Sequence, residues 1–196
     1  MSSTAYFPTL IYKTNIKVDN DLLYNKAISL KNNNASVTTD WFCETYNTIG
    51  TYDICKDAEF NDFVNQCIDS VKEFSKDYGI QHAKLSHIGG WFNVAEFGDY
   101  QEFHIHPNHH FSLVYYVSVN DYSGNIIFRS PESATDMFML PSGNETLANM
   151  KTVSIKPEVG TLLIFRSNLL HMVEKNKSNQ PRVSISFNVS LSDELQ

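Results

Sequence analysis

The sequence predicts an α+β fold in which helices pack on one face of a two-sheet β barrel. Helical patterns are confined to the first 83 residues, whereas six short β-type segments lie between residues 84 and 191. Turn signals such as Gly98-Asp99 and Ser123-Gly124 separate these segments, as is typical of barrels and sandwiches. We expect one domain over residues 1–196, in which about 1–83 support the barrel and about 84–190 form it.

The N-terminal part is expected to contain one strand and two helices. Residues 7–18, "FPTLIYKTNIKV", are β-rich and predict an opening strand. Residues 20–31 follow the cap candidate Asp19 and predict a short helix. Residues 57–79 predict a longer helix, because apolar side chains recur there at the three-and-four spacing of one helical face: Phe60, Phe63, Val64, Cys67, Ile68, Val71 and Phe74.

The remainder is rich in β-branched and aromatic residues. The expected strands lie within 84–97, 111–119, 124–130, 152–157, 160–167 and 182–191. The irregular segments 33–57 and 129–150 are expected to form the rim of the barrel and to carry substrate specificity, since loops commonly do so.

Composition excludes several classes of function. The net charge of −7, with no basic cluster, argues against a nucleic-acid partner. No apolar run reaches the length of a membrane span, and the N-terminus lacks the pattern of a signal peptide. Cys43, Cys55 and Cys67 are expected to be reduced structural thiols, which favours a cytoplasmic location (the host cytoplasm for a phage-encoded protein). A homodimer is the default expectation for the oligomeric state.

The segment "FHIHPNHHFS" holds four of the seven histidines of the chain. In a strand, His104 and His106 would point to the same side, where two imidazoles can bind one metal ion. A third ligand should come from another strand, and His171 at the end of "GTLLIFRSNLLH" is the candidate. Taken alone, His171 is better explained as an ordinary surface or core histidine, since most histidines bind no metal.

The last predicted strand has two chemically different faces. In "PRVSISFNV", polar residues at 182, 184, 186 and 188 alternate with apolar residues at 183, 185, 187 and 189. The polar face lies either in water or inside the barrel. In the second case Arg182 is suited to bind a carboxylate, because a guanidinium donates two parallel hydrogen bonds to it.

These features together resemble the double-stranded β-helix (a jelly-roll or cupin-like barrel) of the 2-oxoglutarate- and Fe(II)-dependent oxygenases. The resemblance is closest to a family of predicted oxygenases of phages and marine bacteria. It covers residues 6–190 and is carried by "WFNVAEFGDYQEFHIHP", "SLVYYVSV", "SGNIIF", "GTLLIFRSNLLHMV" and "RVSISFNV".

The resemblance implies a dioxygenase that uses Fe(II), 2-oxoglutarate and O2 to oxidise a C–H bond, as a hydroxylase does, releasing succinate and CO2. It implies that His104 and His171 are metal ligands. It also implies that Arg182 and Ser184 bind the distal carboxylate of 2-oxoglutarate. By analogy with the fold, the further candidates for the pocket that holds co-substrate and substrate are Asn93, Tyr116 and Asn188.

Position 106 departs from the superfamily, which usually has Asp or Glu there to complete a two-His-one-carboxylate set. We expect His106 to be the third ligand and the three histidines to form the catalytic metal centre. Glu102 is an alternative carboxylate ligand. His109 and His110 follow Pro107, which interrupts a strand, so they are expected either at the rim or in solvent.

Two other functions remain open. Gly98-x5-His104-x-His106 also matches the opening of a cupin, and three-histidine cupin dioxygenases do not use 2-oxoglutarate, although the expected downstream Glu is absent here. A non-catalytic binding protein on the same fold is the third possibility. The substrate could be a protein side chain, a free amino acid or a small metabolite.

Overall fold

A computed structural model describes residues 7–33, 41–134 and 144–192. The helices are α1 (Asn20–Asn33) and α2 (Asn61–Lys76). The strands are β1 (Ile11–Asn15), β2 (Tyr46–Asn47), β3 (Lys84–Ala95), β4 (Gln101–His104), β5 (Phe111–Ser118), β6 (Ile126–Arg129), β7 (Thr152–Ile155), β8 (Thr161–Arg166), β9 (His171–Val173) and β10 (Arg182–Ser192).

The strands form two antiparallel sheets that face each other. The larger sheet has the order β1-β8-β5-β10-β3-β2, and the smaller has the order β4-β9-β6-β7. Apart from the pairs β2-β3 and β6-β7, neighbours in each sheet are separated in the sequence by other strands, as in a jelly roll. The prediction of a double-stranded β-helix in an α+β chain is therefore confirmed.

Both helices pack on the outer face of the larger sheet. Leu23 and Ala27 of α1, together with Phe63 and Phe74 of α2, belong to one buried cluster with the apolar residues of β3, β5, β8 and β10. Phe63 meets Tyr115 edge to face, with ring centres 4.9 Å apart. Alternation along β10 places Val183, Ile185, Phe187 and Val189 in this outer core, all with no exposed surface. The apolar face predicted for this strand is thus confirmed.

The inner face of the larger sheet looks toward the smaller sheet. A second buried cluster fills part of this space, with Val114 and Tyr116 from β5, Leu163 and Phe165 from β8, and Phe128 from β6. Because strand residues alternate between faces, the polar positions of β10 must point into the same space. The interior of the barrel therefore combines an apolar end with a polar row.

Several predicted boundaries were wrong. The opening strand is limited to Ile11–Asn15. The second helix begins at Asn61 instead of residue 57, because two short 3-10 turns precede it, with Asp53 and Asp57 as their caps. β2, β4 and β9 are too short to give a periodic signal and were not predicted as separate strands. Parts of the two predicted rim segments, residues 34–40 and 135–143, lie outside the described residues.

Within the described ranges, neither helix is long and apolar enough to cross a bilayer.

Candidate metal centre

Three histidines meet at one point between the two sheets. One ring nitrogen from each of His104, His106 and His171 lies within 4.8 Å of the others. The ring centres of His104 and His171 are 4.2 Å apart, and His106 lies 5.0 Å from His104 and 5.3 Å from His171. Three imidazoles at such separations can bind one transition-metal ion and leave other coordination positions open.

Strand pairing brings His104 and His171 together. His104 is the last residue of β4 and His171 the first of β9, and the two are direct partners in this antiparallel ladder. β4 ends at His104, so the argument that placed His106 in the same strand was wrong. His106 reaches the cluster from the following turn, where its amide donates a 2.9 Å hydrogen bond to the Ser167 carbonyl.

Backbone carbonyls orient two of the three rings. His104 Nδ1 lies 2.7 Å from the Glu102 carbonyl oxygen, and His171 Nδ1 lies 2.8 Å from that of Leu169. A carbonyl only accepts hydrogen bonds, so both Nδ1 atoms carry the proton. This leaves the lone pair of each Nε2 available to a metal, in the arrangement that metal-binding histidines commonly adopt.

The rings are held in their neutral form. Burial and, to a smaller extent, the adjacent His104 lower the pKa of His171 to about 3. Burial and the proximity of His104 also lower the pKa of His106 to about 4. The pKa of His104 is lowered by burial as well. Neutral imidazole is the form that binds metal, so the site needs little deprotonation near pH 7.

A cavity of about 220 Å³ opens beside the histidines and extends to β10. The side chains of His104, His106 and His171 line it together with those of Arg182 and Ser184. The polar face of β10 therefore points into the barrel, which is the second of the two interpretations that the sequence allowed.

Arg182 is buried, and among the described residues it has no carboxylate partner. Its side chain is only 5% exposed, yet its Nε and Nη2 atoms have no hydrogen-bond acceptor within the part of the chain that the structure describes. Burial lowers the pKa of this guanidinium, but arginine keeps its charge in proteins. An unpaired buried charge costs several kcal/mol, so this end of the cavity is built for an anion.

The other predicted pocket residues lie around Arg182. Asn93 and Tyr116 flank Ser184 as its partners on the two neighbouring strands. The Tyr116 ring packs against Arg182, with the guanidinium carbon 5.5 Å from the ring centre. The Tyr116 hydroxyl also lacks a hydrogen-bond partner among the described residues, and burial raises its pKa. Tyr116 is thus packed behind Arg182 and is absent from the residues that line the cavity.

Asn188 lies further along the polar row of β10 and lines the cavity. Its Oδ1 accepts a 3.0 Å hydrogen bond from the Ser112 hydroxyl, which in turn lies 2.8 Å from the Ser167 hydroxyl. Since the Ser167 carbonyl anchors His106, Asn188 belongs to the polar network behind that ligand candidate.

The remaining candidates lie outside the cluster. The Glu102 carboxylate accepts a 2.8 Å hydrogen bond from the Phe42 amide and is not part of the histidine group found in the described residues. His109 stacks on His87 with ring centres 5.5 Å apart, and its Nδ1 lies 3.2 Å from the Ser190 hydroxyl. His110 Nδ1 accepts a hydrogen bond from the Leu191 amide.

Sequence reasoning missed two aromatic residues at the metal centre. Trp41 meets His104 edge to face at 5.0 Å, and Trp91 lies 5.9 Å from His106. Trp41 follows a polar segment without periodicity, so no strand or helix pattern pointed to it. The available signal was composition, because these are the only two tryptophans of the chain.

Comparison with known proteins agrees with this geometry. Residues 89–188 match the model of a family described as "Putative 2OG-Fe(II) oxygenase". The matched region contains all three histidines, Arg182 and the strands between them. A comparison with curated protein sequences gave no match.

Solved structures with the same architecture are distant in sequence. A Pseudomonas putida prolyl-4-hydroxylase is 13% identical with a TM-score of 0.62, covering 94% of each chain. A Trichoplax adhaerens prolyl hydroxylase, solved with a peptide fragment of the hypoxia inducible factor oxygen degradation domain, is 16% identical with a TM-score of 0.63, covering 92% of this chain and 83% of that one. The carbocyclase SnoK of nogalamycin biosynthesis is 12% identical with a TM-score of 0.60, covering 93% and 77%. At such identities the likeness concerns the fold.

Proposed function

Because this chain belongs to the 2OG-Fe(II) oxygenase family, whose members use Fe(II), 2-oxoglutarate and O2, we propose that His104, His106 and His171 bind the iron. The donor set suits it: three neutral imidazoles converge, and two of them have their Nε2 lone pairs left free. The enzyme is an oxidoreductase, and the proposal assigns the residues that bind iron and 2-oxoglutarate.

Arg182 binds the distal carboxylate of 2-oxoglutarate. The single observation that carries this assignment is the buried guanidinium with two unpartnered nitrogens, in the same cavity as the histidines. A carboxylate placed there would accept two charge-assisted hydrogen bonds and neutralise the charge. Ser184, buried on β10 and lining the same cavity, supplies a hydroxyl to this carboxylate, whereas Tyr116 supports the guanidinium from behind.

Bound Fe(II) supplies the activation of O2, with conversion of 2-oxoglutarate to succinate and CO2 and oxidation of a substrate C–H bond. The protein orients and dehydrates the reactants. Arg182 fixes one end of the co-substrate and thereby directs its other end toward the histidines. Val114, Ile126 and Phe165 line the cavity between them and exclude water from it.

Hydroxylation is the form of oxidation that we propose. Support comes from the prolyl hydroxylases among the structures of similar fold, one of which was solved with a peptide fragment. The substrate class is then a small molecule or a protein side chain that reaches the metal through the open side of the cavity.

The three-histidine cupin alternative leaves Arg182 without a role. In a cupin that does not use 2-oxoglutarate, a buried guanidinium would cost stability with no anion to compensate it. The 2-oxoglutarate-dependent function accounts for both the histidine cluster and the buried Arg182 in this cavity.

The test is anaerobic binding of Fe(II) and 2-oxoglutarate to the full chain. The ternary complex should give a weak visible metal-to-ligand charge-transfer band. Arg182→Ala should weaken 2-oxoglutarate binding by roughly 1.5–3 kcal/mol, the usual effect of losing a charged hydrogen bond. Arg166→Ala is the matched control, because Arg166 is exposed and does not line this cavity. Iron binding without the band, or unchanged affinity in Arg182→Ala, would contradict the proposal.

A further inference from the structure

The two tryptophans stand beside the histidine cluster. Trp41 contacts His104 and Trp91 contacts His106, and both indoles line the cavity. Trp91 belongs to β3 of the larger sheet, whereas Trp41 comes from the segment that precedes β2. Both indoles therefore border the part of the cavity that lies next to the histidines.

The position of Trp41 is fixed by hydrogen bonds that its own segment makes to β4 and to Tyr100, the residue that precedes β4. The amide of Phe42 donates to Glu102 Oε1 at 2.8 Å, and the Cys43 thiol donates to Gln101 Oε1 at 3.2 Å. The Thr45 hydroxyl donates to the Tyr100 carbonyl at 3.0 Å. Because β4 also carries His104, the indole and the ligand candidate are held by the same short strand.

Two carboxamides lie beside the indoles. Asn47 of β2 and Asn93 of β3 are register partners, and both line the cavity. Asn47 Oδ1 accepts from the Ile49 amide, and Asn93 Nδ2 donates to the Ser186 hydroxyl. In the described chain no hydrogen bond engages Asn47 Nδ2 or Asn93 Oδ1. The Asn47 NH2 therefore remains as a donor group and Asn93 Oδ1 as an acceptor, and such a pair is complementary to an amide group.

Charge limits what can bind there. Among the described residues that line the cavity, Arg182 is the single Asp, Glu, Lys or Arg, and the proposed function assigns it to the co-substrate. A second charged group would lose its hydration without gaining an ion pair. Indole faces attract cations, but a divalent metal on neutral imidazoles and the Arg182 guanidinium both oppose a cation at this position.

We infer that the substrate presents to the metal an uncharged aliphatic or alicyclic group attached to an amide, held between Trp41 and Trp91. The inference rests on the proposed function and deepens it by naming the substrate class. Apolar contact with the indoles holds the reacting group, and the side-chain amides of Asn47 and Asn93 bind the amide next to it.

The experiment uses the full chain loaded with Zn(II) and N-oxalylglycine, an unreactive analogue of 2-oxoglutarate. The probes are the N-acetyl amides of leucine, proline, lysine and glutamate. Binding is followed by tryptophan emission, because both tryptophans lie at the site. The leucine or the proline probe should change the emission saturably and bind at least about ten-fold more tightly than the charged probes, given the cost of dehydrating a charge without a partner.

Substitution then assigns the contact. Trp41→Leu and Trp91→Leu should each weaken binding of the neutral probe about ten-fold, a typical loss for an aromatic contact and its buried area. Phe42→Leu is the matched control, because this adjacent side chain is 90% exposed and does not line the cavity. Each tryptophan variant retains one indole, which reports the binding that remains.

The outcomes separate the two proposals. If N-oxalylglycine fails to bind the Zn(II)-loaded protein in calorimetry, the proposed function itself is wrong. If it binds but the lysine or glutamate probe binds as tightly as the neutral probes, or no probe gives a saturable change, the substrate class is wrong while the proposed function stands. If the wild type shows the selectivity but both tryptophan variants keep full affinity, the position assigned to the substrate is wrong.

Discussion

His104 and His171 are direct partners across two antiparallel strands, and their ring centres lie 4.2 Å apart. The residues are 67 positions apart in the sequence, so the pair exists only when β4 and β9 are aligned. The pairing uses backbone hydrogen bonds of the smaller sheet, while the ring orientation uses two backbone carbonyls. Strand pairing and backbone carbonyls are therefore sufficient to position these two rings.

Removal of a single ligand candidate should abolish tight metal binding. His104→Ala or His171→Ala is expected to lower Fe(II) affinity by more than about 100-fold, beyond the 10–100-fold typical of losing an outer hydrogen bond. His82→Ala is the control, since His82 is exposed and does not line the cavity that holds the cluster. Anaerobic iron titration followed by elemental analysis measures the effect. Unchanged stoichiometry and affinity in His171→Ala would show that the metal lies elsewhere.

Replacement of His106 tests the departure from the usual ligand set. His106→Asp should retain iron, because it restores the two-His-one-carboxylate set that suits Fe(II). It also removes one unit of positive charge from the centre, so the charge-transfer band of the 2-oxoglutarate complex should shift in wavelength. The measurement is the anaerobic absorption spectrum of variant and wild type at equal iron content. An identical spectrum would mean that residue 106 does not bind the metal.

Replacement of Arg182 by an apolar residue should separate stability from function. Arg182→Met is expected to leave the metal-free protein at least as stable as the wild type, and up to about 4 kcal/mol more stable, since the buried charge has no partner. The same variant should lose the thermal stabilisation that 2-oxoglutarate gives the metal-loaded wild type. Urea unfolding and melting curves measure the two effects. Severe destabilisation of the metal-free variant would indicate that Arg182 is a structural residue.

Much of this site could be predicted because its residues follow strand periodicity. The alternation around Arg182 in β10 identified one apolar and one polar face, and the structure places the apolar face in the outer core. That the polar face points into the barrel was one of two alternatives, and the cavity lining decides for it. His171 was identified by the buried strand that precedes it. Its pairing with His104 could not be predicted, because β9 is only three residues long and gives no periodic signal of its own.

The aromatic side of the site could not be predicted for a different reason. Trp41 lies in an irregular segment whose position depends on side-chain hydrogen bonds to Glu102 and Gln101, and such long-range bonds leave no local pattern. His106 illustrates a third case: it was predicted as a ligand candidate by an argument from strand parity, although the strand ends before it. Its anchoring by Ser167 comes from a residue 61 positions away.

A single carboxylate links α1 to the 3-10 turns that precede α2, and its loss should destabilise the fold. Asp57 accepts hydrogen bonds from the Tyr52 hydroxyl at 2.7 Å, from Lys26 Nζ at 2.9 Å and from the Glu59 amide at 3.1 Å. Asp57→Asn should reduce the free energy of unfolding by about 1–3 kcal/mol, as expected for charged hydrogen bonds. Asp69→Asn is the control, because Asp69 is 73% exposed and pairs only with Lys72 in the same helix. Urea unfolding at neutral pH should separate the two variants.

The same carboxylate should make stability depend on pH. The Tyr52 hydroxyl and Lys26 lower the pKa of Asp57 from its usual 3.8 to about 2. The folded state thus favours the ionised form, so the contribution is fully present above about pH 4 and is lost as the pH falls toward 2. The difference in stability between wild type and Asp57→Asn should shrink over that interval. A difference that stays constant from pH 5 to pH 2 would contradict this assignment.

Two adjacent glycines of β3 should differ strongly in their sensitivity to the same substitution. A Cβ at Gly90 would lie 2.6 Å from Phe187 Cδ1 and 2.8 Å from Ile54 Cγ2, both in the outer core. A Cβ at Gly89 would point to the other face of the strand and would contact only the His87 ring, at 3.4 Å. Gly90→Ala therefore overpacks the core and should cost about 1–3 kcal/mol, whereas Gly89→Ala should change stability by less than about 0.5 kcal/mol.

The comparison also tests whether the outer core controls the metal centre. Phe187 and Ser186 are neighbours on β10, and a shift of Phe187 away from an alanine at 90 would move the strand that carries Arg182 and Ser184. Gly90→Ala should then weaken 2-oxoglutarate binding as well as lower the melting temperature, although it touches neither the histidines nor the cavity. Gly89→Ala should leave both quantities unchanged. Equal effects of the two substitutions would mean that β3 does not pack on Phe187 as described.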